Sequence, residues 1–192
     1  MELLNECESC KHYKLSLVDA CKVGDVIPSN VFDCYSETCP LFDEENNENE
    51  FVLVTGCMFA GKSKFLIENF HNNPNVEAFS PSIDTRDTNI KSRAYPEKNI
   101  PCTKVSTLKE INPTKKTVLI DEFQFFSPED LKDFVIKCKE QNRRLVMAGL
   151  DLLPNKKEWA SYTAVKNLCD KEIKLKAKCS KCGKPASFTS LI

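Results

Sequence analysis

The sequence predicts an α/β fold: a mainly parallel sheet flanked by helices, with small cysteine-rich elements at both ends. Three observations carry that expectation. From Phe51 onward, short apolar or β-branched runs alternate with segments of helical periodicity. The first run, Phe51-Val52-Leu53-Val54, leads into a glycine-framed loop and then a helix-like segment. A CxxC pair stands near each end, Cys7/Cys10 and Cys179/Cys182.

The 192 residues suffice for one core domain and a small appendage. Hydrophobic residues make up 41% and charged residues 29%, a globular balance. A net charge of -1 gives no strong long-range pull toward a nucleic acid polymer or a membrane. No apolar run reaches the length of a membrane span, and MELLNECESC lacks a basic-then-apolar signal pattern. A cytoplasmic location is therefore expected. In a reducing compartment, eleven cysteines with CxxC pairs favour metal over disulfides.

Residues 1–42 hold Cys7, Cys10, Cys21, Cys34 and Cys39. So short a lobe buries little core, and a structural Zn²⁺ is the expected staple. Its ligands would be Cys7, Cys10, Cys21 and one of Cys34 or Cys39; the alternative is a docked lobe with free thiols. His12 reads as a surface histidine. Residues 43–50, acidic and free of apolar side chains, read as a flexible linker.

Residues 51–170 read as the nucleotide-binding domain. Gly56-Cys57-Met58-Phe59-Ala60-Gly61-Lys62-Ser63 matches the phosphate-loop pattern in its required setting, strand before and helix after. The loop N–H groups and the helix N-terminus face an anion. Lys62 reaches the β/γ-phosphates in this reading, and the Ser63 hydroxyl sits on Mg²⁺. Phe65, Leu66 and Phe70 fall at helical spacing, and Asn72-Asn73-Pro74-Asn75 ends that helix. Val76–Phe79 is a short strand. A long polar loop is expected from Pro81 to about Pro101, carrying Asp84, Arg86, Arg93 and Tyr95.

Thr117-Val118-Leu119-Ile120 is a strand ending in Asp121-Glu122, the Walker-B arrangement downstream of a phosphate loop. Ser127-Pro128-Glu129-Asp130 starts a helix with an N-cap, a proline in the first turn and acids beside the positive dipole end. Leu131, Phe134, Val135 and Cys138 form its core stripe. Leu145–Ala148 is the next strand, ended by Gly149, and a helix covers about 160–168. Residues 171–192 read as a knuckle-type element: Ile173 and Leu175 alternate with lysines, Cys179-x-x-Cys182-Gly183 turns, and Ala186–Thr189 returns. Its lysines read as a solvated face.

Loop, strand-tip carboxylates and a basic loop together point to nucleotide-dependent phosphoryl transfer, which needs positioning and charge neutralisation. Glu122 is the candidate base for the attacking hydroxyl.

From Phe51 on, the chain resembles the type II thymidine kinase family. The carrying residues are Gly56–Ser63 with Met58-Phe59; Asp84-x-Arg86; Asp121-Glu122-Phe123-Gln124-Phe125-Phe126; Gly149-Leu150-Asp151; and Lys174-Leu175-x-Ala177-x-Cys179-x-x-Cys182-Gly183-x-x-Ala186-x-Phe188-Thr189. The resemblance implies a P-loop NTPase-like fold and ATP-dependent phosphorylation of a deoxynucleoside 5′-hydroxyl, thymidine by default. It makes Glu122 the proton acceptor, with Lys62 and Arg86 on the transferred phosphoryl group. Ser63 and Asp121 would hold Mg²⁺, with Asp84 a further candidate that also borders the substrate. Gln124 falls on the nucleotide side. Phe126, Trp159 and Thr189 would line the nucleoside pocket. Cys179 and Cys182 would be two ligands of a structural Zn²⁺. A homotetramer is the family's usual assembly.

The chain departs from the family pattern at several positions. Ser80, Arg93, Tyr95 and Leu191 replace the family's usual lysine, histidine, glycine and arginine. The family's lasso loop, which closes over the nucleoside and supplies a second zinc-binding pair, is expected to be missing after Ile192. N-terminal cysteines would then complete one shared zinc site, or form a separate site and leave Cys179 and Cys182 as thiols. Two further functional readings stand beside the kinase: a catalytically impaired nucleotide-binding regulator from this family, and an unrelated P-loop ATPase or GTPase.

Overall fold

The computed structural model describes residues 49–85, 88–92, 95–179 and 182–189. They belong to the second of two units into which the chain divides, Asn47–Ile192. The expectations placed on residues 1–42, on 43–48 of the linker, and on Arg86, Arg93 and Leu191 lie outside the described residues.

The strands are β1 (Phe51–Thr55), β2 (Val76–Pro81), β3 (Asn89–Ser92), β4 (Tyr95–Pro101), β5 (Thr103–Val105), β6 (Thr117–Ile120), β7 (Arg144–Gly149), β8 (Lys171–Lys174), β9 (Ala177–Lys178) and β10 (Pro185–Ala186). The helices are α1 (Lys62–His71), α2 (Pro128–Glu140) and α3 (Ala160–Val165). Six strands form one sheet in the order β5-β2-β6-β7-β1-β8, and every pairing in it is parallel. The expected mainly parallel α/β architecture is therefore present.

Parallel central strands are covered on both faces, which is why they read as unbroken apolar runs. Phe51, Leu53, Val118, Ile120, Leu145 and Met147 pack with Leu131, Phe134, Val135 and Cys138 of α2 and Tyr162 and Val165 of α3. Val52, Val54, Leu119, Val146 and Ala148 face the other way, toward Leu66 and Ile67 of α1. Fully burying a leucine such as Leu66 contributes about 1.5–3 kcal/mol. The Ser127 side chain accepts the Asp130 N–H at 3.1 Å, capping α2 as its sequence predicts.

Two expectations need correction, the loop after Pro81 and the returning C-terminal strand, while the apolar face expected of α1 is present and includes one more residue, Ile67. The segment expected as a long polar loop folds as an antiparallel hairpin, β3 with β4, in register Asn89↔Pro101 and Ile90↔Ile100. Among the described residues, Ile90 and Ile100 are the hairpin's buried apolar side chains in the core with α1, too few to display an alternating period. In α1, Leu66 and Ile67 are the buried centre, and Phe65 and Phe70 are partly buried beside them. The sheet lies on one side of α1 and the hairpin on another, so its apolar stripe is not a single narrow line. The returning C-terminal strand is shorter than Ala186–Thr189 and pairs only Pro185–Ala186 with Ala177–Lys178.

Among the described residues, no helix is long and apolar enough to cross a membrane.

Candidate active site

Strands β6, β7 and β1 are neighbours and parallel, so their carboxyl ends emerge side by side. Asp121-Glu122 follows β6, Leu150-Asp151 follows β7, and the Gly56–Ser63 loop follows β1. Asp84 follows β2, next to β6. Open parallel sheets bind ligands at this edge.

The loop is pressed closely onto the segment after β8. A Cβ on Gly56 would stand 2.3 Å from the Leu175 carbonyl oxygen, and Gly56 has φ 144°, so glycine is required there. Leu175 in turn donates its N–H to Thr55 O at 2.8 Å. Gly61 caps α1, whose first two residues are Lys62 and Ser63. Lys62 is buried, and its Nζ donates to Gly56 O at 3.0 Å and Cys57 O at 2.9 Å. Burial lowers its pKa, and the charges of Glu122 and Asp121 oppose that shift.

Two loop residues are engaged by the C-terminal hairpin. The Cys57 thiol donates to Ala186 O at 3.3 Å, and the Met58 N–H donates to Thr189 Oγ1 at 3.0 Å. Thr189 thus stands against the loop, while Phe59 is exposed.

Asp121 is buried, and its Oδ1 accepts the Glu122 N–H at 3.0 Å. Burial, then repulsion from Glu122, pushes its pKa up to about 7, against that N–H bond and the Lys62 charge; Asp84 adds a smaller push. Asp121, Glu122 and Asp84 thus share one electrostatic neighbourhood. Their carboxylate oxygens and the Ser63 hydroxyl are hard donors of the kind Mg²⁺ takes, but the three carboxylates do not gather into one metal-holding cluster in this arrangement. Lys104 Nζ donates to Asp84 O at 2.8 Å and anchors that loop.

Glu122 occupies the left-handed backbone region at φ 50°, ψ 43°, a conformation costing a non-glycine residue on the order of 1 kcal/mol. Its Oε2 accepts a bond from Gln124 Nε2 at 2.6 Å. Gln124 Oε1 accepts the Leu150 N–H at 3.0 Å. Both ends of the amide therefore meet protein groups, whereas the sequence reading placed Gln124 on the nucleotide.

The structure also relocates the aromatic candidate. Phe123–Phe125 is a 3-10 turn, in which residues three apart lie on one side. Phe123 and Phe126 share the core side, and Phe126 is only 4% exposed among Leu131 and Phe134. Phe125 is 46% exposed and meets Trp159 edge to face, 6.2 Å between centroids. The open aromatic pair is Phe125 with Trp159, and Phe126 is a core residue. Ser161 Oγ holds the turn by donating to Phe126 O at 2.7 Å and Gln124 O at 3.2 Å. Ser161 escaped the sequence reading because a lone serine carries no periodic or motif signal.

Asp151 and Trp159 close a small loop, with Trp159 N–H on Asp151 O at 3.0 Å. Asp151 Oδ1 and Trp159 Nε1 are buried with no hydrogen-bond partner among the described residues. Lys156 Nζ sits 4.6 Å from the Phe188 ring centroid, linking this loop to the C-terminal segment.

Cys179 and Cys182 flank a tight turn, with Gly183 N–H on Cys179 O at 2.9 Å and Cys179 N–H on Lys184 O at 2.8 Å. Such a turn suits two thiolates of a tetrahedral zinc site. Among the described residues, no group of three or more histidine, cysteine or acidic side chains gathers to hold a metal. The other zinc candidates, Cys7, Cys10, Cys21, Cys34 and Cys39, lie outside the described residues, as does Arg86.

The thymidine kinase family model matches residues 49–192. A thymidine kinase of Mesoplasma florum is 29% identical over 153 residues, covering 73% of this chain and 75% of that protein. A thymidine kinase of Porphyromonas gingivalis is 27% identical over 161 residues, covering 77% and 78%. Among solved structures, a DnaB-like replicative helicase overlays at a TM-score of 0.38 and 14% identity, over 55% of this chain and 40% of that one. The fold assignment rests on the strand order and pairing.

Proposed function

The chain belongs to the thymidine kinase family, and from that premise we propose that it transfers the γ-phosphoryl group of ATP to the 5′-hydroxyl of a deoxynucleoside, with thymidine the first candidate. The coarser assignment, a thymidine kinase-like phosphotransferase acting on a nucleoside, follows from the family. The observation that supports the finer one is the convergence of Lys62, Asp121 and Glu122 at the carboxyl edge of adjacent parallel strands.

In this reading the loop N–H groups and the N-terminus of α1 receive the phosphates. Lys62 leaves the carbonyls of Gly56 and Cys57 for the transferring phosphate, and Arg86 assists. Ser63 and Asp121, with Asp84, hold Mg²⁺, which supplies charge neutralisation when bound. Glu122 takes the proton of the 5′-hydroxyl. A new O–P bond forms at the acceptor oxygen as the bond to the ADP oxygen breaks. Phe125 and Trp159 offer apolar faces to the base, with Thr189 nearby. Cys179 and Cys182 supply two thiolates to a structural zinc ion. The protein acts in the cytoplasm as a homo-oligomer.

A coupled ADP-release assay with each deoxynucleoside tests this. Nucleoside-stimulated turnover is expected. Glu122→Gln removes most of it, on the order of the 10²–10⁴-fold that general-base catalysis contributes, and leaves ATP affinity nearly unchanged. Wild-type turnover in that variant eliminates Glu122 as the base. ATP binding without nucleoside-stimulated turnover in the parent protein replaces the kinase reading with a nucleotide-binding regulator.

A further inference from the structure

We propose that Gln124 is the positioning residue of the proton acceptor: it fixes the direction of the Glu122 carboxylate and does not serve the nucleotide. This rests on the kinase reading above. Glu122 sits where strand β6 turns out of the sheet, and its side chain has enough torsions to point many ways. Gln124 Nε2 meets its Oε2 at 2.6 Å. The sense of that bond is dictated by chemistry. Leu150 N–H is purely a donor, so the Gln124 atom facing it at 3.0 Å must be the amide oxygen. The amide nitrogen then has to face Glu122, and flipping the amide would break both bonds.

The amide is also immobile. Gln124 is 3% exposed. Its oxygen lies against the backbone of β7: a Cβ on Gly149 would stand 2.4 Å from it and 2.6 Å from the Phe123 ring. Ser161 on α3 ties down the surrounding turn through Gln124 O and Phe126 O. The segments after β6 and β7 thus meet on one amide group, and the start of α3 holds the backbone that carries it. A group locked by packing and by a second hydrogen bond can hold a reacting carboxylate within the narrow tolerance that proximity effects demand. With nitrogen on Glu122 and oxygen on Leu150, the amide is committed to the protein.

The test is a double-mutant cycle on the full chain. Gln124→Met keeps length and removes both bonds. Gln124→Leu also removes both bonds, with a branched side chain and no new charge, so it covers the case in which the methionine variant fails to fold. Each is expected to lower kcat about 10- to 100-fold, the cost of misplacing a reacting group by about an ångström, with the KM for ATP nearly unchanged. In the Glu122→Gln background the same changes are expected to lower kcat no further, because the residue acts only through that carboxylate. A full additional loss in that background, or a KM for ATP that rises in step with the fall in kcat, overturns the proposal. A parent protein without nucleoside-stimulated turnover removes the kinase reading itself. The contact then remains testable by ¹⁵N NMR of the Gln124 side-chain amide, assigned by its loss in Gln124→Met. Its protons are expected to shift in Glu122→Ala, and unshifted protons overturn the contact whatever the activity.

Discussion

Phe51 and Asp170 hold each other at the edge where β1 begins: the Phe51 N–H donates to Asp170 Oδ2 at 2.8 Å, and the Asp170 N–H donates to Phe51 O at 2.9 Å. Lys139 Nζ reaches the other carboxylate oxygen at 3.0 Å and Leu168 O at 2.9 Å, joining α2 to the same point. Burial works against the charge on Asp170, yet the Phe51 N–H and Lys139 outweigh it and hold the carboxyl below its ordinary value. A carboxyl with a depressed folded pKa stabilises the protein above its unfolded pKa, near 4, and that contribution is lost as pH falls through the folded value. The side chain is 48% exposed, so solvent screens the ion pair and the loss in Asp170→Ala is about 1 kcal/mol at pH 7. Urea melts of both proteins at pH 7 and pH 3 check the sign: the gap narrows at pH 3. A gap that stays constant with pH assigns the effect to something other than the carboxylate.

Gly149→Ala is expected to damage stability and turnover together. The new methyl would overlap the Gln124 amide oxygen and the Phe123 ring. Overpacking of this kind costs about 1–3 kcal/mol. The same displacement swings the amide away from Glu122, so kcat falls while ATP affinity is retained. Denaturant midpoints and steady-state kinetics on one preparation decide it. A variant that loses stability and keeps full kcat breaks the link between β7 and the carboxylate.

Two adjacent phenylalanines should behave in opposite ways. Phe125→Ala removes an exposed ring that faces Trp159, so it raises the nucleoside KM several-fold and leaves the melting temperature almost unchanged. Phe126→Ala opens a cavity among Leu131 and Phe134, at a cost of about 3–5 kcal/mol. If Phe126→Ala instead raises the nucleoside KM in a fully stable protein, the assignment of the two rings is reversed.

Thiol reactivity separates buried from exposed cysteines. Burial pushes Cys138 up to about 12, with Arg143 and Lys137 pulling weakly the other way, and its side chain is sealed beneath α2. Cys138 stays a protonated, shielded thiol from pH 6 to pH 9 and resists alkylation. Cys182 is exposed and is expected to react early in metal-free protein. Mass spectrometry after timed iodoacetamide treatment, with and without urea, checks the order. Modification of Cys138 in the native protein contradicts the packing.

Much of this was legible in the sequence wherever the signal is local. β6 with its terminal Asp121-Glu122, the Ser127 cap and the Leu131–Cys138 stripe follow from neighbouring residues alone, and each is present. Other features depend on partners far away in sequence. The β3–β4 hairpin owes its place to Ile90 and Ile100 meeting α1, which no window of sequence displays. The exchange of Phe126 for Phe125 turns on a 3-10 turn, whose period of three differs from the helix and strand periods. Ser161 matters because α3 brings it to the carbonyls of Gln124 and Phe126, about 35 residues earlier.

The bonds from Cys57 to Ala186 and from Met58 to Thr189 span 129 and 131 residues. A ribosome extends a chain at about 5–20 residues per second, so Ala186 and Thr189 are made roughly 6–26 s after the loop they hold. Through that interval the nascent phosphate loop lacks its clasp. Leu175, whose carbonyl abuts Gly56, also arrives late. The nucleotide site is therefore begun well before the residues that complete it are made, and long-range closure of this kind slows folding.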